Sequence, residues 1–263
     1  MLIFFYHEPV HIVIVMSLSK ISVCILSKNS SQTISETLAS VKDFSEILVL
    51  DNGSTDNTIE IVKKHANAKV IEHAFIGFGF LRNKAAEHAA SDWILALDTD
   101  EILSDALLEE LKTLELSNEQ AVYSTPRKNF YNGKWIRGCG WHPDRVTRLY
   151  NRKATKFRDV QVHESLITDE SQIISLKSPL LHTPFRSTAE FLSKMQHYSS
   201  LFANQNAPFR KSSLPKAFFH SLFAFFRSYF FQKGFLLGAE GFIVSLYNSN
   251  TTFYKYLKLW EKK

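Results

Sequence analysis

Only two of the 263 residues are cysteine, Cys24 and Cys139. That count excludes a cysteine zinc site and a disulfide-stapled scaffold. With Cys24 inside an apolar run, it fits a reducing compartment, the cytoplasm. Long uncharged runs are missing too. The Phe-rich stretch from Ala217 to Phe231 is interrupted by His220 and Arg227, short of the roughly 18 uncharged residues that a spanning helix needs. His142, His163, His182 and His197 share no compact metal spacing such as H-x-x-x-H. Internal repeats, low-complexity linkers and the usual RNA-recognition signatures are all absent, so a nucleic-acid partner is not expected. Between residues 127 and 158 acids are almost missing: ten Lys or Arg stand against Asp144 alone.

What is present fits a globular body, with 45% hydrophobic and 22% charged residues and a net charge of +5. That charge favours an acidic partner such as a nucleotide sugar or an anionic lipid. Residues 1–19 are apolar only in patches and are broken by His7, Glu8 and Pro9. They read as an extension outside the fold, with Met16 the natural start and residues 1–15 a misassigned one or a loosely held tail. From residue 20 onward an apolar run, a polar turn and a helical stretch recur. Ile21 to Leu26 ends in Ser27-Lys28-Asn29, and Ile47 to Leu50 ends in Asp51-Asn52-Gly53. Trp93 to Leu97 ends in Asp98-Thr99-Asp100-Glu101. Alternating strands and helices imply a mostly parallel sheet flanked by helices, and in such sheets ligands bind beyond the strands' carboxyl ends.

The last of these runs carries the most chemistry. Asp98 and Asp100 at a strand end would point the same way, because side chains alternate with period 2. Neighbouring carboxylates repel each other unless a cation lies between them. Mg2+ or Mn2+ held by one or two carboxylates and completed by substrate phosphates is the expected resolution. Asp51 is positioned to accept from a uracil N3–H or to cap its own turn. Ser27 and Asn29 are candidates to hold base and ribose. Arg82, at a helix start after Gly77-Phe78-Gly79, is a candidate contact for the diphosphate or base.

Four segments in this order, Ser22 to Asn29, Leu50 to Asp56, Gly77 to Asn83 and Trp93 to Glu101, resemble family 2 inverting glycosyltransferases. The resemblance continues through Arg137 to Asp144, Arg148-Leu149-Tyr150, Val162-His163-Glu164 and Tyr229 to Phe235 toward the lipopolysaccharide-core glucosyltransferase branch. It covers roughly residues 20 to 261. It implies the GT-A nucleotide-diphospho-sugar transferase fold. It also implies transfer of a hexose, in first reading glucose, from a UDP-sugar to a lipopolysaccharide or lipooligosaccharide inner-core sugar. In that scheme Asp100 is the direct metal ligand, Asp98 touches ribose or metal, and Glu164 is the general base, with His163 its rival. Trp141, Asp144, Arg148 and His163 are the acceptor contacts. Many relatives carry two acids where this chain has Asp51-Asn52.

The resulting division is an extension at 1–19, a catalytic domain at 20–184 and a helical Phe-rich part at 185–263. The catalytic domain comprises a nucleotide-sugar half, 20–125, and an acceptor half, 126–184. The Phe excess of the last part suits either contact with the inner face of the cytoplasmic membrane or burial against a partner. Two rival functions remain open in the residues. A sugar nucleotidyltransferase normally carries a Gly-rich loop after its first strand, and Ser27 to Ser31 has no glycine. A non-enzymatic module binding anionic lipid or nucleic acid leaves the strand-end carboxylates unexplained.

Overall fold

The computed structural model describes residues 17–159, 164–169 and 172–262. The chain divides into two compact units. One takes the described residues up to Arg127 together with Arg145–Leu181; the other takes Lys128–Asp144 and everything from His182 onward.

The first unit is built on a sheet whose centre is parallel. Its elements are β1 (Ile21–Ser27), α1 (Ile34–Ser40), β2 (Glu46–Asp51), α2 (Thr58–Val62), β3 (Ala68–Glu72), α3 (Phe78–Glu87) and β4 (Trp93–Asp98). Then come β5 (Glu101–Leu103), α4 (Asp105–Lys112), the start of β6 (Val122–Tyr131), β8 (Arg145–Asn151), β9 (Ile173–Ser175) and β10 (Leu180–His182). The strand order is β3-β2-β1-β4-β8-β6-β10-β5, with β9 also pairing with β6. Strands β3, β2, β1 and β4 run parallel, and β8 pairs antiparallel with both β4 and β6.

Period 2 divides the central strands between two cores. Val23, Ile25, Val49, Leu95 and Leu97 enter one apolar cluster. Cys24, Leu26, Leu48, Ile94 and Ala96 enter the other, together with Leu81, Ala85 and Ala86 of α3. Strands covered on both faces read as continuous apolar runs, which is why these segments show no polar alternation. Burial pushes the Cys24 thiol up to about 12, so it packs as an inert apolar group. Ser104 caps α4 by accepting from the Leu107 N–H.

The second unit contains the end of β6, β7 (Lys134–Trp135), α5 (Thr188–Asn206), α6 (Leu214–Phe226), a π turn (Arg227–Phe231), a 3-10 turn (Gly234–Leu237) and α7 (Gly238–Glu261). Asn132 and Gly133 both take positive φ, 52° and 71°, the conformation of a tight hairpin turn between β6 and β7. Its core is Tyr131, Ile136, Cys139, Phe185, Phe191, Leu237 and Val244, with Phe185 and Phe191 stacked at 4.1 Å.

The expected division at 125/126 changes here. Strand β6 runs across it, from Val122 through Pro126 to Tyr131. Residues 128–144 group with the helices, whereas 145–181 stay with the sheet unit. The reason is long-range: β8 is drawn into the sheet between β4 and β6. Residues 1–16 lie outside the described part of the chain, so the reading of the extension stays an expectation.

Candidate active site

The sheet's carboxyl rim collects the strand-end residues Ser27, Asp51 and Asp98. On β4 the sequence Ile94, Ala96, Asp98 continues the face that α3 covers, so Asp98 leaves the strand toward α3. Arg82 of α3 is waiting there. Its Nη2 donates to Asp98 Oδ1 at 2.7 Å, and its Nε donates to Glu164 Oε1 at 3.0 Å. One guanidinium thus ties the strand-end acid to the candidate base. Arg82 is only 3% exposed. Burial pulls its pKa down and Asp98 and Glu164 outweigh that, so the group stays charged above its ordinary value.

From the other side, Arg148 of β8 donates through Nη2 to Asp98 Oδ2 at 2.8 Å and to Glu101 Oε1 at 2.5 Å. Arg127 donates to the same Glu101 oxygen at 3.1 Å. Glu101 is fully buried, and its Oε2 accepts from the Asp98 backbone N–H at 3.2 Å. The Arg148 pKa is raised: burial opposes the charge, and Glu101 and Asp98 overcome it. Three arginines and three carboxylates therefore form one paired network, the condition under which charge can be buried at all. Charge-assisted bonds of this kind fix geometry as well as energy.

The turn after β4 is clamped separately. Thr37 Oγ1 donates to the Thr99 carbonyl at 2.9 Å, and Thr99 Oγ1 donates to Ser30 Oγ at 3.0 Å. Because β4 ends at Asp98 and residues 99–100 form the turn, the period-2 argument does not extend to Asp100. Asp100 is half-buried on that turn.

These facts redistribute the roles expected from sequence. Of the two roles expected for Asp98, ribose or metal contact, the metal one is disfavoured, because a cation there would compete with a guanidinium on each oxygen. Arg82 is corrected from a donor contact to a brace between two acids. Arg148 is corrected from an acceptor contact to a buried partner of Asp98 and Glu101, because β8 lies beside β4. Asp51 is 1% exposed and folds its own turn. Its Oδ2 accepts from the N–H groups of Gly53 and Ser54 at 3.0 and 2.7 Å, and its Oδ1 accepts from Ser54 Oγ at 2.5 Å. That is the turn-capping alternative, which the sequence left open beside base recognition.

Asn29, at φ 49°, likewise knits loops, accepting from the Thr55 N–H at 2.7 Å. Two buried atoms at this rim have no hydrogen-bond partner among the described residues, Ser27 Oγ and Asn52 Oδ1. Buried polar atoms of that kind are costly unless something satisfies them, which makes this corner the best-marked place for a polar ligand.

The basic stretch is also largely spent internally. Arg145 donates to the carbonyls of Ser124 and Leu176, and Arg152 to that of Ala86. Lys153 pairs with Asp92. Trp141 and Asp144 belong to the second unit. There Asn129 donates to the Trp141 carbonyl and to Asp144 Oδ2, while its own Oδ1 meets His182 Nδ1 at 2.6 Å. His163 lies outside the described residues. Sequence reasoning missed Glu101 and Arg127. The signal for Glu101 was present, a third acid directly after D-x-D, but nothing local reveals that two distant arginines meet it.

Among the described residues no group of three or more His, Cys, Asp or Glu is placed to hold a metal. A closed protein cage of the zinc type therefore does not fit. Asp100 alone, with oxygens from a substrate diphosphate and water, fits the way Mg2+ or Mn2+ is usually held.

Comparison with known proteins identifies the family. The model of "Glycosyl transferase family 2" matches residues 22–171. An uncharacterized glycosyltransferase of Rickettsia prowazekii (strain Madrid E) is 28% identical over 92% of this chain and 87% of its own length. The lipopolysaccharide core biosynthesis glycosyltransferase LpsC of Rhizobium meliloti (strain 1021) is 24% identical over 92% of each chain. Among solved structures, S. aureus TarS 1-349 in complex with UDP superposes with a TM-score of 0.49 at 18% identity, covering 92% of this chain and 90% of that one. The family model spans more than half of the chain and includes β4, Arg82, Asp98, Arg148 and Glu164: this chain belongs to glycosyl transferase family 2 and is a glycosyltransferase of the GT-A fold class.

Proposed function

We propose that the enzyme moves a hexose, in first reading glucose, from a UDP-sugar to a lipid-linked oligosaccharide of the lipopolysaccharide-core type by one inverting displacement. The observation that carries this reading is the Arg82 bridge, which holds Asp98 and Glu164 on a single side chain. Inversion needs an acid-rich donor site and a base held in fixed relation to it, so that the hydroxyl attacks in line. Glu164 takes the proton from the acceptor hydroxyl, and Arg82 sets the direction of its carboxylate. Asp100 would hold Mg2+ or Mn2+. When bound, the cation supplies neutralisation of the departing diphosphate. Asp98, gripped by two arginines, offers a fixed hydrogen-bond acceptor to the donor's ribose. Ser27 and Asn52 supply the unsatisfied polar atoms beside the base. The core-type acceptor is supported by likeness to a relative whose name states that role, and reaction at the inner face of the cytoplasmic membrane follows from a lipid-linked acceptor.

The test is a screen of radiolabelled UDP-sugars against truncated lipid-core acceptors, with the product linkage read by NMR. A β-linked product from an α-linked UDP-hexose supports the reading; a product with retained configuration overturns it. Asp100→Ala should lose transfer while its circular dichroism stays that of the parent. Full transfer by that variant would remove Asp100 from the chemistry.

A further inference from the structure

Apart from the core around Phe185 and Phe191, one helix contact of the second unit is packed inside out. Where α6 and α7 meet, the buried side chains are small: Ala217, Ser221 and Ser228 on one side, Gly241, Ser245 and Ser249 on the other. Ser249 Oγ donates to the Ser221 carbonyl at 2.8 Å, and Ser228 Oγ donates to Ser245 Oγ at 3.0 Å. Gly241 approaches so closely that a Cβ there would lie 1.9 Å from the Gly234 carbonyl oxygen. The large apolar side chains point the other way. Phe219, Phe223, Phe231 and Leu236 are 64%, 61%, 76% and 66% exposed.

Neighbouring rings on this side touch one another. Phe226 stacks on Phe230 at 5.7 Å, and Phe230 meets Tyr229 at 5.1 Å. Tyr229 reaches Phe225 and Phe235, and Phe225 meets Phe242 of α7. Water would drive this arrangement to invert, burying the rings and exposing the serines. Helices in lipid do the opposite: small residues let backbones approach, and large apolar ones face outward.

Charge points to the same partner. Between residues 191 and 260 there are eight Lys or Arg and one acid, Glu240, which is paired with Lys134. Beside Phe223 an open cavity of about 490 Å³ is lined by Arg227, Lys255 and His220 and by no acid. A phosphate is the natural occupant of such a basic recess, set among rings that prefer hydrocarbon. No helix among the described residues is long and apolar enough to cross a membrane. A 13-residue α6 spans about 20 Å, against roughly 30 Å of hydrocarbon.

We propose that the outer face of α6, the π turn and α7 lies in the plane of an anionic phospholipid bilayer. The Phe rings enter the acyl boundary, and Arg227 and Lys255 take lipid phosphates. This accords with a lipid-linked acceptor but does not need one, and its test requires no donor sugar.

The experiment is co-sedimentation of the full chain with phosphatidylcholine vesicles, with and without phosphatidylglycerol. The parent should pellet with the anionic vesicles and be released by salt. The double variant Phe219→Asp/Phe223→Asp should bind at least tenfold less, with unchanged circular dichroism. The pair Arg227→Glu/Lys255→Glu should lose the preference for phosphatidylglycerol. The proposal falls if the parent stays in solution with both vesicles, or if the Asp variant binds as well as the parent. It also falls if the chain is a lipid-indifferent dimer that the Asp variant splits, which would make this face a subunit seam.

Discussion

The two units dispose of polarity in opposite ways. In the sheet unit, apolar side chains fill both faces of β1, β2 and β4, and charge is admitted only where it is paired: Arg82, Arg127 and Arg148 against Asp98, Glu101 and Glu164. In the helical unit, small residues and serine hydroxyls line the α6–α7 contact while rings face outward. The first arrangement is the one water selects, and its buried ions lie where the chemistry is proposed. The second is stable in water only at a cost, which a different solvent would remove. A buried charge network and an exposed ring surface are both departures from the ordinary rule, and each departure marks a site.

Several substitutions test that contrast, the strongest first. Glu164→Gln keeps the shape of the site and removes the proposed proton acceptor. It should lower kcat by about 10²- to 10⁴-fold with little change in donor KM, measured in initial-rate assays. A fall of less than tenfold would return the base role to His163. Glu101→Ala leaves Arg127 and Arg148 facing a vacated buried position. It should destabilise the sheet unit by about 3–5 kcal/mol, read as a lowered urea midpoint. Gly241→Ala should loosen the helical unit, because the new methyl meets backbone at Gly234 rather than a side chain that can swing away. A drop of about 1–3 kcal/mol is expected for such overpacking, with the sheet unit's own transition unmoved.

The smallest effect concerns acid. Burial raises the Asp56 pKa, but bonds from Thr58 and Ser31 together outweigh it and hold the carboxyl at about 2. A depressed folded pKa stabilises above the unfolded value of about 3.9 and is lost as pH falls toward 2. The turn before α2 should therefore loosen only between about pH 4 and pH 2, as hydrogen exchange at Ser31 and Thr58 would show.

Much of the sheet unit was readable because its rules are local. Apolar runs closed by Asp51 or Asp98 announce strands ending at a rim, and Ser104 announces a helix start. The roles of Arg82 and Arg148 were not readable, because they depend on which elements become neighbours. Arg82 looks like a helix-surface residue until α3 packs over Asp98. Arg148 looks like one of ten cations in a basic stretch until β8 inserts beside β4. For Asp51 the sequence left two roles open, and its nearest partners, Gly53 and Ser54, show it in the turn-capping one. In the Phe-rich segment the excess of rings was plain, but only the positions of Ser221, Ser245 and Gly241 show which way the helices face.

Arg82 has one more implication. Because a single guanidinium anchors both Asp98 and Glu164, damage at either end is transmitted to the other, and the pair should behave as one unit under mutation. Replacing both acids should harm turnover far less than the product of the separate losses. Two positions 66 residues apart in sequence would thus register, to selection, as nearly a single locus.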